Sequence, residues 1–228
     1  MKSEHLKPEL EFYNNAFKDN KNRRKKVISW EYSPSKTIIN LIKSNDLIYP
    51  KNKRMLDLGC GDGRHISFFR KKDFDVVGVD FSEEAIKLCK NRFKGDSRVH
   101  LERIDLTEKD SILHLGKFDL VLDWSVLDHI RRQYLPEYIH NIMGSIKEGG
   151  YLIASEFDIS IRNLYKGKDY KCRKGHYSRG FSLSRLIESL NPPLILIDSR
   201  EKVLEDKIAG YKFNTVLMRN GGINYDSK

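Results

Sequence analysis

The fold is decided by one stretch of the chain, Met55-Leu56-Asp57-Leu58-Gly59-Cys60-Gly61-Asp62-Gly63-Arg64. Its apolar beginning predicts a buried strand, and its glycines predict a tight turn into a helix, where backbone N–H groups can approach a ligand closely. Asp57 and Asp62 place negative charge beside that turn, where a dinucleotide-binding fold would seat a pyrophosphate. Because like charges repel, the loop favours a ligand that carries an ammonium or a sulfonium over one that carries phosphates.

Beyond residue 53 the hydrophobic pattern alternates between strands and helices. This alternation predicts a doubly wound α/β fold, with a mostly parallel sheet of about seven strands and helices on both faces. Two closing strands at 194–197 and 215–218 predict an antiparallel C-terminal strand. The expected parallel strands are 54–58, 75–79, 99–103, 118–122 and 151–155, and the expected helices include 62–71, one that opens at Ser82, and 135–147.

Acidic residues stand where these strands end. Ligands in such sheets bind at the carboxyl ends of the strands, so we expect the carboxylates to gather around one site. Asp80 follows Gly59 by 21 positions, the spacing at which an acidic side chain can hold ribose hydroxyls. The expected cluster has five members: Asp57, Asp62, Asp80, Asp105 and Asp123.

Composition excludes several classes of protein. The chain has 228 residues, of which 39% are hydrophobic, and its apolar stretches fall short of the ~20 residues of a membrane helix. Its three cysteines show no metal-like spacing and its N-terminus shows no secretory pattern, so we expect a cytoplasmic protein with free thiols and no metal. The net charge of +10 permits nucleic acid or acidic substrates as partners.

The chain divides into four expected segments. Residues 1–29 form a polar, partly helical extension, in which Phe12, Tyr13 and Phe17 share an apolar face and the basic run 21–26 is either a connector or a phosphate-contacting arm. The main domain spans 30–220, with a lid-like insert at 158–180 that is basic and aromatic. A loose tail covers 221–228.

Over roughly residues 30 to 220 the chain resembles the class I S-adenosylmethionine-dependent methyltransferases. The similarity rests on LDLGCGDGRH, VVGVDFSEEAI, RIDLTE, FDLVLDWSVLDHI and IKEGGYLIASEF. It implies a Rossmann-like fold and methyl transfer from S-adenosyl-L-methionine, which leaves S-adenosyl-L-homocysteine. A dehydrogenase fits less well, because Arg64 occupies the place of the third small residue of the nucleotide motif.

The resemblance also implies a cofactor role for individual residues. Those expected at the methionine end are Asp57 near the ammonium, Gly59, Cys60 and Gly61 along the loop, and Asp123 and Trp124 beside the transferred methyl. Those expected at the adenosyl end are Asp80 at the ribose, Phe81 against adenine, and Asp105 and Leu106 at the adenine amino group and ring, with Trp30 closing the site. Alternatively, Asp57 caps backbone amides, Asp62 caps the helix and Cys60 only packs.

Methyl transfer from a sulfonium is a direct displacement, so proximity and alignment carry most of the catalysis. A general base is needed only for a protonated acceptor, and the candidates are His129, titratable near neutrality, and Asp128. Either residue could instead be structural. Tyr165, His176 and Tyr177 in the insert are candidate substrate contacts.

The segment FDLVLDWSVLDHI is similar to the small-molecule enzymes of this family, which predicts transfer to an oxygen, nitrogen or sulfur atom of a small acceptor, anionic or aromatic in character. Two alternatives remain. An RNA methyltransferase of cap type would use the basic segments as a phosphate track. A non-catalytic subunit would bind the cofactor without transferring a methyl group. The sequence does not predict the oligomeric state.

Overall fold

A computed structural model of the protein describes residues 6–18, 34–47, 53–173, 176–190, 194–206 and 211–222. Trp30, the basic run 21–26 and most of the predicted tail lie outside these residues. None of the helices in the described part of the chain is long and apolar enough to cross a membrane.

A seven-stranded sheet with the order β3-β2-β1-β4-β5-β9-β8 forms the centre of the protein. β1 to β5 pair in parallel, whereas β9 runs antiparallel to both of its neighbours. This confirms the predicted sheet and its antiparallel C-terminal strand. The strands of this sheet are β1 Arg54–Leu58, β2 Asp75–Asp80, β3 Val99–Arg103, β4 Phe118–Trp124, β5 Ile146–Phe157, β8 Leu194–Asp206 and β9 Tyr211–Asn220.

Helices cover the sheet, and their starts follow local chemistry. The hydroxyl of Ser35 accepts a hydrogen bond from the N–H of Ile38 at 3.2 Å, and that of Ser82 accepts one from Ala85 at 3.2 Å. Both are N-caps that satisfy a backbone donor of the first turn. The helices among the described residues are α1 Lys7–Lys18, α2 Lys36–Ser44, α3 Arg64–Arg70, α4 Glu83–Arg92, α5 Leu135–Ser145 and α6 Leu183–Leu190.

Several predicted boundaries differ from the structure: α5 ends at Ser145 rather than at residue 147, and β8 and β9 extend beyond the predicted 194–197 and 215–218. α3 begins after Gly63, whose φ is 79° and which makes no side-chain cap, so Asp62 is not the helix cap. β5 begins at Ile146 rather than at residue 151, because the backbone becomes extended directly at the end of α5. The register between β4 and β5 shifts between Phe118 and Leu120, which accommodates this early start.

Alternating side chains of β1 enter two apolar cores on opposite faces of the sheet. Leu56 and Leu58 belong to the core that contains α5 and α6, and Met55 belongs to the core that contains α2 and α3. All three side chains are fully buried. Because both faces are packed, the carboxyl ends of the parallel strands are held rigidly at one edge of the sheet.

The insert at 158–180 contains a short helical segment, Ile159–Asn163, and a two-stranded hairpin of β6 Tyr170–Arg173 and β7 His176–Arg179. The hairpin contacts the 3₁₀ turn Leu127–His129 that follows β4. The ring Nδ1 of His129 lies 2.7 Å from the carbonyl oxygen of Tyr177. The insert is therefore joined to the loop at the end of β4.

Candidate functional site

A cavity of about 430 Å³ opens at the carboxyl ends of the parallel strands. Its floor is the glycine turn after β1 together with the loops after β2, β3 and β4. α1 and the hairpin of the insert contribute the opposite walls. This is the position at which doubly wound sheets bind their ligands.

The glycine turn has no room for a side chain at Gly59. Gly59 and Gly61 have φ values of 59° and 55°, in the left-handed region that glycine adopts without strain. A Cβ on Gly59 would lie 2.5 Å from a methyl carbon of Val126. The N–H of Cys60 donates to the carbonyl of Val79 at 2.9 Å, which ties the turn to β2. The turn therefore presents its backbone to the cavity, and the buried side chain of Cys60 packs near the floor.

Asp80 ends β2 and holds the floor of the cavity together. Its Oδ2 accepts a hydrogen bond from the N–H of Gly61 at 3.0 Å, and its Oδ1 accepts one from Ser82 at 2.8 Å. Burial raises the pKa of Asp80 to about 6, against these hydrogen bonds, which lower it. Asp80 and Phe81 both line the cavity.

The expected row of five carboxylates is only partly correct. Asp62, Asp80 and Asp105 line the cavity, whereas Asp57 and Asp123 are buried within the strands and do not. Side chains of a strand alternate between faces, and those that point into a packed face stay covered by helices. Three of the five carboxylates therefore border the cavity, and the other two lie within the strands.

Asp57 is 1% exposed, and its Oδ2 has no hydrogen-bond partner among the described residues. Burial, with repulsion from Asp80 and Asp123, raises the pKa of Asp57 to about 8, although Arg64 lowers it. A buried acceptor without a donor is unusual and marks a place where a donor or a positive charge would be stabilised.

Asp123 instead organises the loop after β4. It accepts hydrogen bonds from the hydroxyl of Tyr138 at 2.7 Å and from the N–H of Val126 at 3.0 Å. Burial raises the pKa of Asp123 to about 6. All of these contacts are internal, and Asp123 does not line the cavity. The adjacent Trp124 reaches the cavity and stacks on Phe213, with ring centroids 5.0 Å apart.

The loop after β3 forms another wall. Asp105 accepts hydrogen bonds from the N–H and the hydroxyl of Thr107 at 2.9 Å and 2.6 Å, which fixes the loop. Leu106 is buried and lines the cavity beside Phe81. Both side chains give this part of the cavity an apolar lining.

The acid–base candidates form a connected group. Nε2 of His129 lies 3.2 Å from Oδ1 of Asp128, and the hydroxyl of Ser125 donates to Oδ2 of Asp128 at 3.0 Å. Nδ1 of His129 faces the carbonyl oxygen of Tyr177, which only accepts, so Nδ1 carries a proton. The contact between Nε2 of His129 and the carboxyl of Asp128 is then favourable only if a second proton lies between these two groups. Burial raises the pKa of Asp128 to about 7 and lowers the pKa of His129 to about 4. The expectation that His129 titrates near neutrality is therefore wrong.

The three candidate substrate residues all line the cavity. The ring of His176 stacks on Phe12 at 4.5 Å between centroids and lies 5.1 Å from His129. Burial, with the charges of His129 and Lys171, lowers the pKa of His176 to about 3. The hydroxyl groups of Tyr165 and Ser178 share a hydrogen bond of 2.7 Å. Tyr165 and Tyr177 are both mostly buried.

Sequence reasoning missed the contribution of α1 to the site. Its spacing indicated one apolar face, but only the structure places that face over the cavity: Phe17 lies against the position of a Cβ on Gly61 at 3.5 Å. Ser125 was also missed. Its φ of 56°, which only the structure shows, is a strained conformation of the kind that clusters at functional sites.

The donors and acceptors of this cavity fit a nucleoside with a positively charged tail. The glycine turn admits close backbone contact, Phe81 and Leu106 give the cavity apolar side chains, and Asp80 adds a carboxylate. At the other end, a positive charge would stabilise the ionised form of Asp57, whose buried Oδ2 has no partner among the described residues.

Comparisons with known proteins point the same way. A family model described as a methyltransferase domain matches residues 56–152. The carboxy-S-adenosyl-L-methionine synthase of Campylobacter fetus subsp. fetus is 31% identical over 192 residues, which cover 79% of this chain and 78% of that protein. A probable fatty acid methyltransferase of Pseudomonas putida is 28% identical over 100 residues, 43% of this chain, but the match spans only 25% of that protein.

Among solved structures, the fold is similar to that of 1,6-didemethyltoxoflavin-N1-methyltransferase from Burkholderia thailandensis, which was solved with bound 1,6-didemethyltoxoflavin and S-adenosylhomocysteine. The TM-score is 0.67 at 19% identity, with 93% of this chain and 87% of that chain covered. At this identity the likeness concerns the fold.

Proposed function

We propose that this chain, which belongs to the class I S-adenosylmethionine-dependent methyltransferases, methylates an oxygen, nitrogen or sulfur atom of a small, flat acceptor that carries an acidic group. S-adenosyl-L-methionine is its cofactor and S-adenosyl-L-homocysteine the product that remains. The cofactor supplies an activated methyl group, so the protein's own residues mainly bind, orient and exclude water.

The observation that carries the acceptor proposal is the aromatic enclosure of the cavity beyond the cofactor residues. Rings line this half on every side, and several stack or meet edge to face at centroid distances of 4.5 to 5.9 Å. Such walls favour a flat molecule, because aromatic faces and edges attract one another. The rings of this half are those of Phe12, His129, Phe157, His176 and Phe213, and two of them contact the cofactor-side rings of Tyr13 and Trp124.

Charge in the same region favours an anion. Lys171 lines the cavity with its ammonium 5.5 Å from the centre of the Tyr165 ring. His129 and His176 are neutral near pH 7, since burial lowers the pKa of both, whereas Lys171 is a charged donor on the same hairpin as His176. An acidic group of the acceptor would be stabilised there.

The cofactor residues expected from the motif keep their proposed roles with two adjustments, which concern Asp57 and Asp123. We assign Asp80 to the ribose, Phe81, Asp105 and Leu106 to adenine, and the backbone of Gly59, Cys60 and Gly61 with Trp124 to the methionine part. Asp57 acts from below the turn through its negative charge, and Asp123 acts by holding the loop. Asp128 is fully buried and does not line the cavity, so it would take the proton of an O–H or N–H acceptor through Ser125 or His129, which both line the cavity and contact Asp128.

The experiment is incubation with methyl-labelled S-adenosylmethionine and a cell extract, followed by separation of metabolites, RNA and protein. We expect the label among small acidic aromatic molecules. Label in RNA would instead support the cap-type alternative, and no label in any fraction would support the non-catalytic one.

Matched variants test the acidic-group part of the proposal. Lys171→Met should reduce the labelled product about tenfold or more through the lost charge-assisted contact. Lys168→Met is the control, because Lys168 is exposed on the same insert and does not line the cavity. Equal labelling by the two variants would remove the acidic group from the proposal.

A further inference from the structure

α1 carries two buried polar atoms that have no hydrogen-bond partner within the described part of the chain. They are Oε2 of Glu9 and the hydroxyl oxygen of Tyr13. The two residues stand one helical turn apart, so they share a face of α1, and both line the cavity. Glu9 is only 5% exposed.

The carboxylate of Glu9 is held in place by one of its oxygens only. Nε of Arg131 donates to Oε1 at 2.6 Å, and Nη2 of Arg131 lies 2.5 Å from the same oxygen. Oε2 is therefore fixed by the ion pair but receives no donor. A buried carboxylate oxygen without a donor is costly and rare in native proteins, so its position indicates a ligand that supplies one.

The position of α1 indicates which part of a ligand lies beneath it. The ring of Tyr13 meets Phe81 edge to face at 5.5 Å, and Asn14 accepts a hydrogen bond from the hydroxyl of Ser82 at 2.7 Å. α1 is thus pinned directly above the end of β2. Arg131 follows Ile130, which packs in the same cluster as Ile104 and Leu106 after β3.

We propose that Glu9 and Tyr13 bind the adenosyl part of the cofactor from above, with Oε2 of Glu9 accepting a hydrogen bond from a ribose hydroxyl or from the adenine amine. The hydroxyl of Tyr13 joins the same hydrogen-bonded set. α1 is then a cofactor-binding element in its own right, and its two unpartnered atoms are satisfied only when the nucleoside is bound. This inference concerns the cofactor and is independent of the acceptor proposed above.

Calorimetry on the full chain tests the proposal with two probes, S-adenosylhomocysteine and 5′-methylthioadenosine, which lacks the amino-acid end. Glu9→Gln should weaken binding of both by about ten- to a hundredfold, because a hydrogen bond to a charged acceptor is lost. Glu11→Gln is the matched control, since Glu11 is an exposed carboxylate on the same helix, and it should change both affinities less than twofold. Weaker binding of S-adenosylhomocysteine alone would move Glu9 to the amino-acid end and overturn the adenosyl assignment.

Tyr13→Phe separates binding from mere structure, since it removes only the unpartnered hydroxyl. We expect the thermal midpoint of the ligand-free protein to stay the same or rise, while both probes bind about two- to tenfold more weakly. If Glu9 only anchors α1, Glu9→Gln and Arg131→Gln will weaken the probes equally and Tyr13→Phe will leave both affinities unchanged. That pattern would overturn the proposal.

Discussion

The proton on Asp57 should couple the affinity for S-adenosylhomocysteine to pH. Burial holds the pKa of Asp57 near 8 in the ligand-free protein, so roughly 1% of the carboxyl is ionised at pH 6 and about half at pH 8. If the ammonium of the ligand needs the ionised form, binding should tighten by up to about fiftyfold between these two pH values. Asp57→Asn keeps the shape and cannot ionise, so its affinity should lack this rise.

Stability of the ligand-free protein should move in the opposite direction. The pKa of Asp57 is raised from 3.8 to about 8 by folding, so the protonated form favours the folded state. The stability that this provides is complete at low pH and is lost as the pH rises toward 8, which amounts to about 2 kcal/mol between pH 6 and pH 8. Opposite slopes for stability and affinity distinguish Asp57 from a residue that only caps the turn.

Urea unfolding and calorimetry at pH 6, 7 and 8 measure both slopes. The quantity to compare is the difference between the wild type and Asp57→Asn, because Asp80, Asp123 and Asp128 also release protons as the pH rises to about 6 or 7 and should do so in both proteins. Parallel pH profiles for the two proteins would refute the reasoning. They would leave Asp57 as a structural residue of the turn.

Two substitutions test the floor of the cavity. Gly59→Ala should lower the free energy of unfolding by about 1–3 kcal/mol, because φ is 59° and the added Cβ meets Val126 at 2.5 Å; Val126→Ala should recover part of that loss in urea unfolding, and no recovery would contradict the contact. Asp80→Asn should leave one of the N–H groups of Gly61 and Ser82 without an acceptor, which costs about 1–3 kcal/mol, and calorimetry should show at least tenfold weaker binding of S-adenosylhomocysteine. An unchanged affinity would remove the ribose assignment.

The sheet and the glycine turn could be predicted from sequence because their determinants are local. The run before Asp57 places apolar side chains on both faces of the strand, a pattern typical of a strand that is covered on both sides. The turn needs glycine at Gly59 for steric reasons alone. Ser82 is an N-cap whose acceptor and donor lie three residues apart. Such features do not depend on distant parts of the chain.

The position of α1 over the cavity could not be predicted, because the contacts of α1 join residues far apart in sequence. Glu9 pairs with Arg131 across 122 positions and Asn14 with Ser82 across 68, and neither pair leaves a pattern in a single sequence. The number of carboxylates that line the cavity was overestimated for a related reason. Residues at strand ends were expected to reach the ligand, but Asp123 is covered by Tyr138, a partner supplied by α5.

Burial also changes which residue is expected to act as the base. By its ordinary pKa, His129 would be the base near neutral pH, but its pKa is lowered to about 4 while the pKa of Asp128 is raised to about 7. Near pH 7, therefore, the group that gains and loses a proton is Asp128, and His129 keeps its Nδ1 proton on the carbonyl of Tyr177. On the proposed function, methylation of a hydroxyl acceptor should rise with pH through an inflection near 7, and Asp128→Asn should remove that inflection whereas His129→Gln should keep it. An inflection lost only in His129→Gln would return the role of base to the histidine.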